Sequence, residues 1–134
     1  MEKNKIMLDT SAYSAFLRGH EDVKRAIQEA DEIYLNPIVL GEFISGFVAG
    51  GREKKNRDIL RNFLSSPRVQ VVDIDDETAE RYAVIFTHLR AQGTPIPTND
   101  LWIAASAMQY GLKLLTTDNH YRNVAQIIVE CCDV

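Results

Sequence analysis

The sequence predicts an α/β fold of three layers, α/β/α, around a central parallel sheet of about five strands. Three observations predict it. Short β-rich runs alternate with helical stretches along the whole chain, the pattern that right-handed βαβ crossovers generate. The first run, Ile6-Met7-Leu8, has no polar alternation, so both of its faces must be covered, as at the centre of a parallel sheet with helices on each side. The chain has 134 residues, 46% hydrophobic and 25% charged. That is ordinary globular usage and enough for one domain, residues 1–134, with a single core.

Lys5-Ile6-Met7-Leu8-Asp9-Thr10-Ser11 is a buried strand that delivers a carboxylate at its end. Thr10 and Ser11 can cap a helix beginning at Ala12 and stopped near Gly19. A second helix over residues 21–30 puts Val23, Ala26, Ile27 and Ala30 on one face. Ile33-Tyr34-Leu35 is too short for a helix and β-rich enough for a strand. Asn36-Pro37 closes it, and Pro37 suits the first turn of a helix, where its missing N–H costs nothing.

That helix, residues 37 to about 48, is almost wholly apolar. Phe43, Phe47 and Val48 are predicted to exceed what one small domain buries, which points to a dimer or partner interface. Glu42 stands out among them, because a Glu there is either at the helix edge or held for a purpose. Gly50-Gly51 ends the element. A helix over residues 52–64 follows, its outer face carrying Arg52, Lys54, Lys55, Arg57 and Arg61. Such a run can track a phosphate backbone, but Glu53 and Asp58 interrupt it and favour a solvated face.

Residues 69–74 form the third strand, and Asp75 or Asp76 caps a long helix with Ala79, Tyr82, Ala83, Phe86 and Leu89 at helical spacing. Gly93 is its carboxyl cap. Thr94-Pro95-Ile96-Pro97 is extended and stiff. Thr98 is then a good N-cap, placing Asn99 and Asp100 in the first turn of a helix through Met108 whose alanines permit close packing. Gly111 ends it. Residues 112–117 form a fourth strand that hands over to Asp118 and so repeats the opening pattern. A turn or short helix carries residues 119–123, and residues 127–130 form a fifth strand at the sheet edge.

The net charge of −4 argues against general affinity for nucleic acid, so a polyanion would need a local basic patch or metal ions. There is no Gly-x-Gly-x-x-Gly, no Walker-type phosphate loop and no Gly-x-Ser-x-Gly elbow. The three histidines pair with no evident nucleophile, and His120, two residues past Asp118, reads first as turn polarity. No apolar run is long enough to span a bilayer, and the amino terminus has no small-residue cleavage site, so the chain reads as cytoplasmic. Cys131 and Cys132 are adjacent; bridged they would make a strained ring, and they lack zinc-site spacing, so they read as reduced thiols.

Four acids remain. Asp9 and Asp118 each follow an apolar strand, while Glu42 and Asp100 each lie in the first turns of a helix, so all four can face one end of the sheet, where ligands of open α/β sheets bind. Each alone has a plain structural role as a helix cap, a dipole partner, an ion-pair partner or a turn residue. Together they exceed what capping requires. Hard cations such as Mg2+ and Mn2+ take such oxygen ligands, and they serve phosphodiester hydrolysis by acidifying water and stabilising phosphoryl charge. Receiver-like phosphoryl-transfer domains also place Asp at strand ends, but Glu42 and the late Asp100 argue against that class.

The segments Ile6-Met7-Leu8-Asp9-Thr10-Ser11, Pro37-Ile38-Val39-Leu40-Gly41-Glu42, Asn99-Asp100-Leu101-Trp102-Ile103-Ala104-Ala105-Ser106-Ala107 and Leu114-Leu115-Thr116-Thr117-Asp118-Asn119-His120-Tyr121 resemble PIN-domain ribonucleases. More narrowly, they resemble the VapC-type toxins of toxin–antitoxin pairs. The resemblance covers essentially the whole chain. It implies a Mg2+- or Mn2+-dependent endoribonuclease acting on RNA, a homodimer, and inhibition by a cognate VapB-type antitoxin. A PIN-type nuclease of RNA processing or of structured DNA is the alternative within the family. Carried over by position, the resemblance implies that Asp9 and Asp100 are the principal metal ligands, that Glu42 and Asp118 complete the acidic pocket, and that Thr10, Ser11 or Thr117 orients ligands or water. Many relatives carry Phe three positions after the last acid, where this chain has Tyr121.

Overall fold

The computed structural model describes residues 2–133. Its sheet has five parallel strands, β1 (Lys5–Leu8), β2 (Glu32–Leu35), β3 (Val69–Val71), β4 (Lys113–Thr116) and β5 (Val129–Cys131), in the order β3-β2-β1-β4-β5. β1 is the middle strand, which is why Ile6, Met7 and Leu8 need no polar face: all three are buried. In register, Met7 stands between Tyr34 on one side and Leu114 on the other.

Six α-helices flank the sheet among the described residues: α1 (Thr10–Leu17), α2 (Glu21–Glu29), α3 (Pro37–Gly50), α4 (Glu53–Leu64), α5 (Asp76–Gln92) and α6 (Thr98–Tyr110), with a 3-10 turn over Asn119–Asn123. The chain steps from β1 outward to β2 and β3, then crosses back over β1 to β4. Right-handed crossovers therefore lay α1 to α4 on one face and α5 and α6 on the other, completing three layers. The reversal of direction falls between β1 and β4, and the carboxyl ends of those two strands open a crevice there.

Local chemistry sets the element boundaries. Asn36 is fully buried and caps α3, its Oδ1 accepting from the Val39 N–H at 3.1 Å, with Pro37 in the first turn. Its amide also donates to Ser106 Oγ at 2.9 Å, tying α3 to α6. Asp75, rather than Asp76, caps α5 in a capping box with Thr78. Gly51, Gly93 and Gly111 close α3, α5 and α6 with positive φ, a backbone conformation a side chain would resist.

Several expectations are corrected. The third strand stops at Val71, not residue 74, because its partner β2 ends where Asn36 turns away to cap α3; the last bond of that edge is Val72 N–H to Leu35 O at 2.8 Å. The fifth strand is Val129–Cys131, displaced by its register with β4. Asp9 rather than Thr10 or Ser11 caps α1. Thr98 is the first helical residue of α6 and not its cap: Pro97 already supplies the carbonyl that accepts from Leu101 N–H at 3.1 Å, and no side chain caps the end. Phe43 and Phe47 lie in the core, where Phe43 stacks on Tyr13 at 4.2 Å between ring centroids, so of the three apolar residues assigned to an interface Val48 alone is exposed. Three residues of the basic run, Lys54, Arg57 and Arg61, are ion-paired within α4, through Arg57–Glu53 at 2.7 Å, Lys54–Asp58 at 3.1 Å and Arg61–Asp58 at 2.9 Å, as the interrupting acids suggested. Among the described residues no helix is long and apolar enough to cross a membrane.

Candidate active site

Asp9 sits where β1 ends and α1 begins. It is 4% exposed, and its carboxylate is held by four donor contacts. Oδ1 accepts from Ala12 N–H at 2.8 Å and from Ser11 Oγ at 2.8 Å; Oδ2 accepts from Ser11 Oγ at 2.9 Å and from Thr116 Oγ1 at 2.7 Å. Burial pushes the Asp9 pKa up to about 6, against the pull of those hydrogen bonds, and the charge on Asp100 raises it further. Asp9 is thus both a helix cap and the most perturbed carboxyl of the crevice.

Thr116, the last residue of β4, is fully buried and links two of the acids. Its hydroxyl donates to Asp9 and accepts from Asp118 N–H at 2.9 Å. Thr117, the threonine singled out in the sequence, reaches the network through its N–H, which donates to Ser11 Oγ at 3.0 Å. Successive side chains of a strand point to opposite faces, so only one of the two threonines can turn its hydroxyl to Asp9. Which one follows from the register Leu8↔Leu115, which sets Thr116 beside Asp9. The pairing register is not written in either segment alone, and that is why the sequence pointed to the neighbouring residue.

Glu42 lies in the second turn of α3, half-buried. Thr10 Oγ1 donates to one carboxylate oxygen and Asn99 Nδ2 to the other at 3.4 Å, so the residue before Asp100 and the residue after Asp9 both hold it. Asp100, in the uncapped first turn of α6, is partly buried. Burial raises its pKa, the Tyr121 hydroxyl beside it lowers it, and the charges of Asp118 and Glu42 raise it again. Asp118 caps the 3-10 turn, accepting from His120 N–H at 2.9 Å, and the exposed His120 ring lies against the same oxygen at 2.9 Å. The four predicted acids therefore act on one another from four elements. Among the described residues the ion pairs leave Asp9, Glu42 and Asp100 without a cation, and Asp118 has only His120.

The donor chemistry fits a hard divalent cation. Every donor is an oxygen, the acids repel one another, and the buried Tyr121 hydroxyl among them lies against Asp100 without a hydrogen bond of good geometry. No group of three His, Cys, Asp or Glu side chains forms a ready cage among the described residues. Beside Glu42 runs an open groove of about 470 Å³ lined by Pro37, Ile38, Gly41, Ser45 and Asn99, with no cation in its walls. Cys131 and Cys132 are free thiols, and Cys131 Sγ lies 3.4 Å from Asn119 Oδ1.

Comparison with known proteins gives one family. The sequence profile described as the PIN domain matches residues 6–127. Ribonuclease VapC4 of Mycobacterium tuberculosis is 34% identical over 130 residues, covering 96% of this chain and 98% of that protein. Among solved structures, the VapBC2 complex of Rickettsia felis bound to a DNA fragment from its promoter aligns with a TM-score of 0.82 and 26% identity over 93% of this chain and 96% of that one. DNA-bound VapBC of Salmonella typhimurium aligns with a TM-score of 0.81 and 26% identity over 94% and 96%.

Proposed function

Because this chain belongs to the PIN-domain family, we propose that it is an endoribonuclease, that its four clustered acids form the active site, and that it acts as the toxin of a toxin–antitoxin pair. The observation that carries the reading is the set of carboxylates Asp9, Glu42, Asp100 and Asp118 around the carboxyl ends of β1 and β4, of which, among the described residues, Asp118 alone has a basic side chain, His120, against it. Such a set suits metal-assisted phosphodiester hydrolysis, and the relatives named as ribonucleases share the chain over nearly its whole length.

Asp9 and Asp100 are the residues that would hold Mg2+ or Mn2+, with Glu42 and Asp118 completing the pocket. Bound there, the ion would lower the pKa of water and stabilise negative charge on the phosphoryl oxygens. The chain's own groups supply the rest. Ser11 and Thr116 lock the Asp9 carboxylate in one orientation, so that ligand binding there costs little reorganisation. Thr10 and Asn99 hold Glu42 at the mouth of the groove. The groove walls carry the Glu42 carboxylate, an amide, a hydroxyl and apolar carbons but no cation, which suits a base and sugar of single-stranded RNA better than a second phosphate.

The acidic pocket also offers a site for an inhibitory protein: an Arg or Lys inserted among the acids would fill the metal region and block the substrate phosphate. The solved neighbours are VapBC complexes, and a VapB-type antitoxin is the partner proposed here. Pairing of the chain with itself is proposed as well, and a monomer mass by light scattering at micromolar concentration would count against it. The test of the enzyme is RNA cleavage by the purified chain in Mg2+ or Mn2+ and in excess EDTA. Activity should stop with chelator and return with metal, and full activity in EDTA would refute the mechanism.

A further inference from the structure

Tyr121 is 1% exposed, and its hydroxyl has no hydrogen-bond partner. It sits in the 3-10 turn three residues beyond Asp118, with the charges of Asp9, Asp100 and Asp118 acting on it. A buried hydroxyl left without a good partner is destabilising, so its place in an acid pocket asks what it serves. A phenol donates, and the acids differ in what they can still accept. Both Asp9 oxygens already take donors from Ala12, Ser11 and Thr116. Asp118 Oδ1 takes the His120 N–H, and both Glu42 oxygens are engaged by Thr10 and Asn99. Asp100 is the acid with no well-formed hydrogen bond among the described residues, and the Tyr121 hydroxyl lies against it, close enough to act on its carboxyl.

We propose that Tyr121 is a positioning residue for Asp100: its hydroxyl donates to that carboxylate, directly or through one water, and fixes which oxygen faces the metal ion. Asp100 needs such a partner more than Asp9 does, because it lies in an uncapped first turn of α6 with no side-chain tether, whereas Asp9 is locked from three residues. Partners that orient a ligand in this way commonly govern metal affinity by 10- to 100-fold. The inference rests on the nuclease reading above.

Tyr121→Phe removes the hydroxyl and keeps the ring, so no cavity forms. Mn2+ is titrated by calorimetry into metal-free wild type and variant, beside thermal melts in EDTA and steady-state RNA cleavage. The expected result is a Mn2+ dissociation constant raised about tenfold, a lower kcat with KM for RNA unchanged, and a metal-free melting temperature equal to or above that of wild type. Unchanged Mn2+ affinity would overturn the proposal, and so would a weaker affinity accompanied by a lower metal-free melting temperature, which marks a packing role. Wild type that takes up no Mn2+ would overturn the nuclease reading and this inference with it. Wild type that binds Mn2+ no better than the variant would overturn this inference alone.

Discussion

Replacing Asp9 by Asn should make the metal-free protein more stable at neutral pH while abolishing RNA cleavage. Asp9 is raised from 3.8 to about 6 by burial. A carboxyl whose folded pKa exceeds its unfolded one binds protons more readily when folded, so stability falls as pH rises from about 3.8 to about 6 and stays low above that. At about 1.4 kcal/mol per pKa unit, holding Asp9 ionised at pH 7 costs roughly 3 kcal/mol, to order of magnitude. Asn resembles the neutral acid in shape, is as good an N-cap for α1, and can keep accepting from Ala12 N–H. Its new N–H groups meet the hydroxyls of Ser11 and Thr116, which can rotate to accept. Some charge-assisted bonding is lost, so the expected gain is about 1–3 kcal/mol. For a chain of this length that is a rise in melting temperature of about 3–10 °C. Thermal melts in EDTA at pH 7 and near pH 3.5 decide the matter, since the gain should vanish at the lower pH, where wild-type Asp9 is also neutral. A variant less stable than wild type at pH 7, or a gain independent of pH, would refute the burial reasoning; retained cleavage would refute the site.

Asp100→Asn should be inactive and, without metal, no less stable than wild type, with a gain on the order of 1 kcal/mol from relief of repulsion by Asp118 and Glu42. Mg2+ should raise the melting temperature of wild type by mass action and that of Asp100→Asn much less; an active variant would sink the assignment. Thr116→Val is nearly isosteric but strips the donor from Asp9 Oδ2 and the acceptor from Asp118 N–H. Stability at pH 7 should fall by about 1–3 kcal/mol, and the Asp9 pKa should move further above its already raised value, as read by NMR titration of its carboxyl carbon. A Thr116→Val protein with the wild-type Asp9 titration would show that the hydroxyl does not hold that acid.

The alternation of strand and helix was legible because buried parallel strands are short apolar runs and their helices end in Gly or begin at Asn and Asp. The four acids were legible for a related reason. Each stands at the end of an element, and in a parallel sheet the carboxyl ends of all strands lie on one side. The expectation of an interface at Phe43 and Phe47 went astray because periodicity reports that a face is apolar, not what covers it. Here Tyr13 and other residues of the chain's own core do so.

The sequence by itself determined the order of elements, the candidate acids and the family, since these depend on neighbours a few residues apart and on patterns along the chain. Only the tertiary structure decided how the acids are held. The Leu8↔Leu115 register brings Thr116 to Asp9, the α3–α6 contact through Asn36 and Ser106 joins the helices that carry Glu42 and Asp100, and Tyr121 is left with an unpaired hydroxyl beside Asp100. Each of these joins residues far apart in the chain. Their geometry is set by packing and hydrogen-bond satisfaction across the core, and neither has a local signature in sequence.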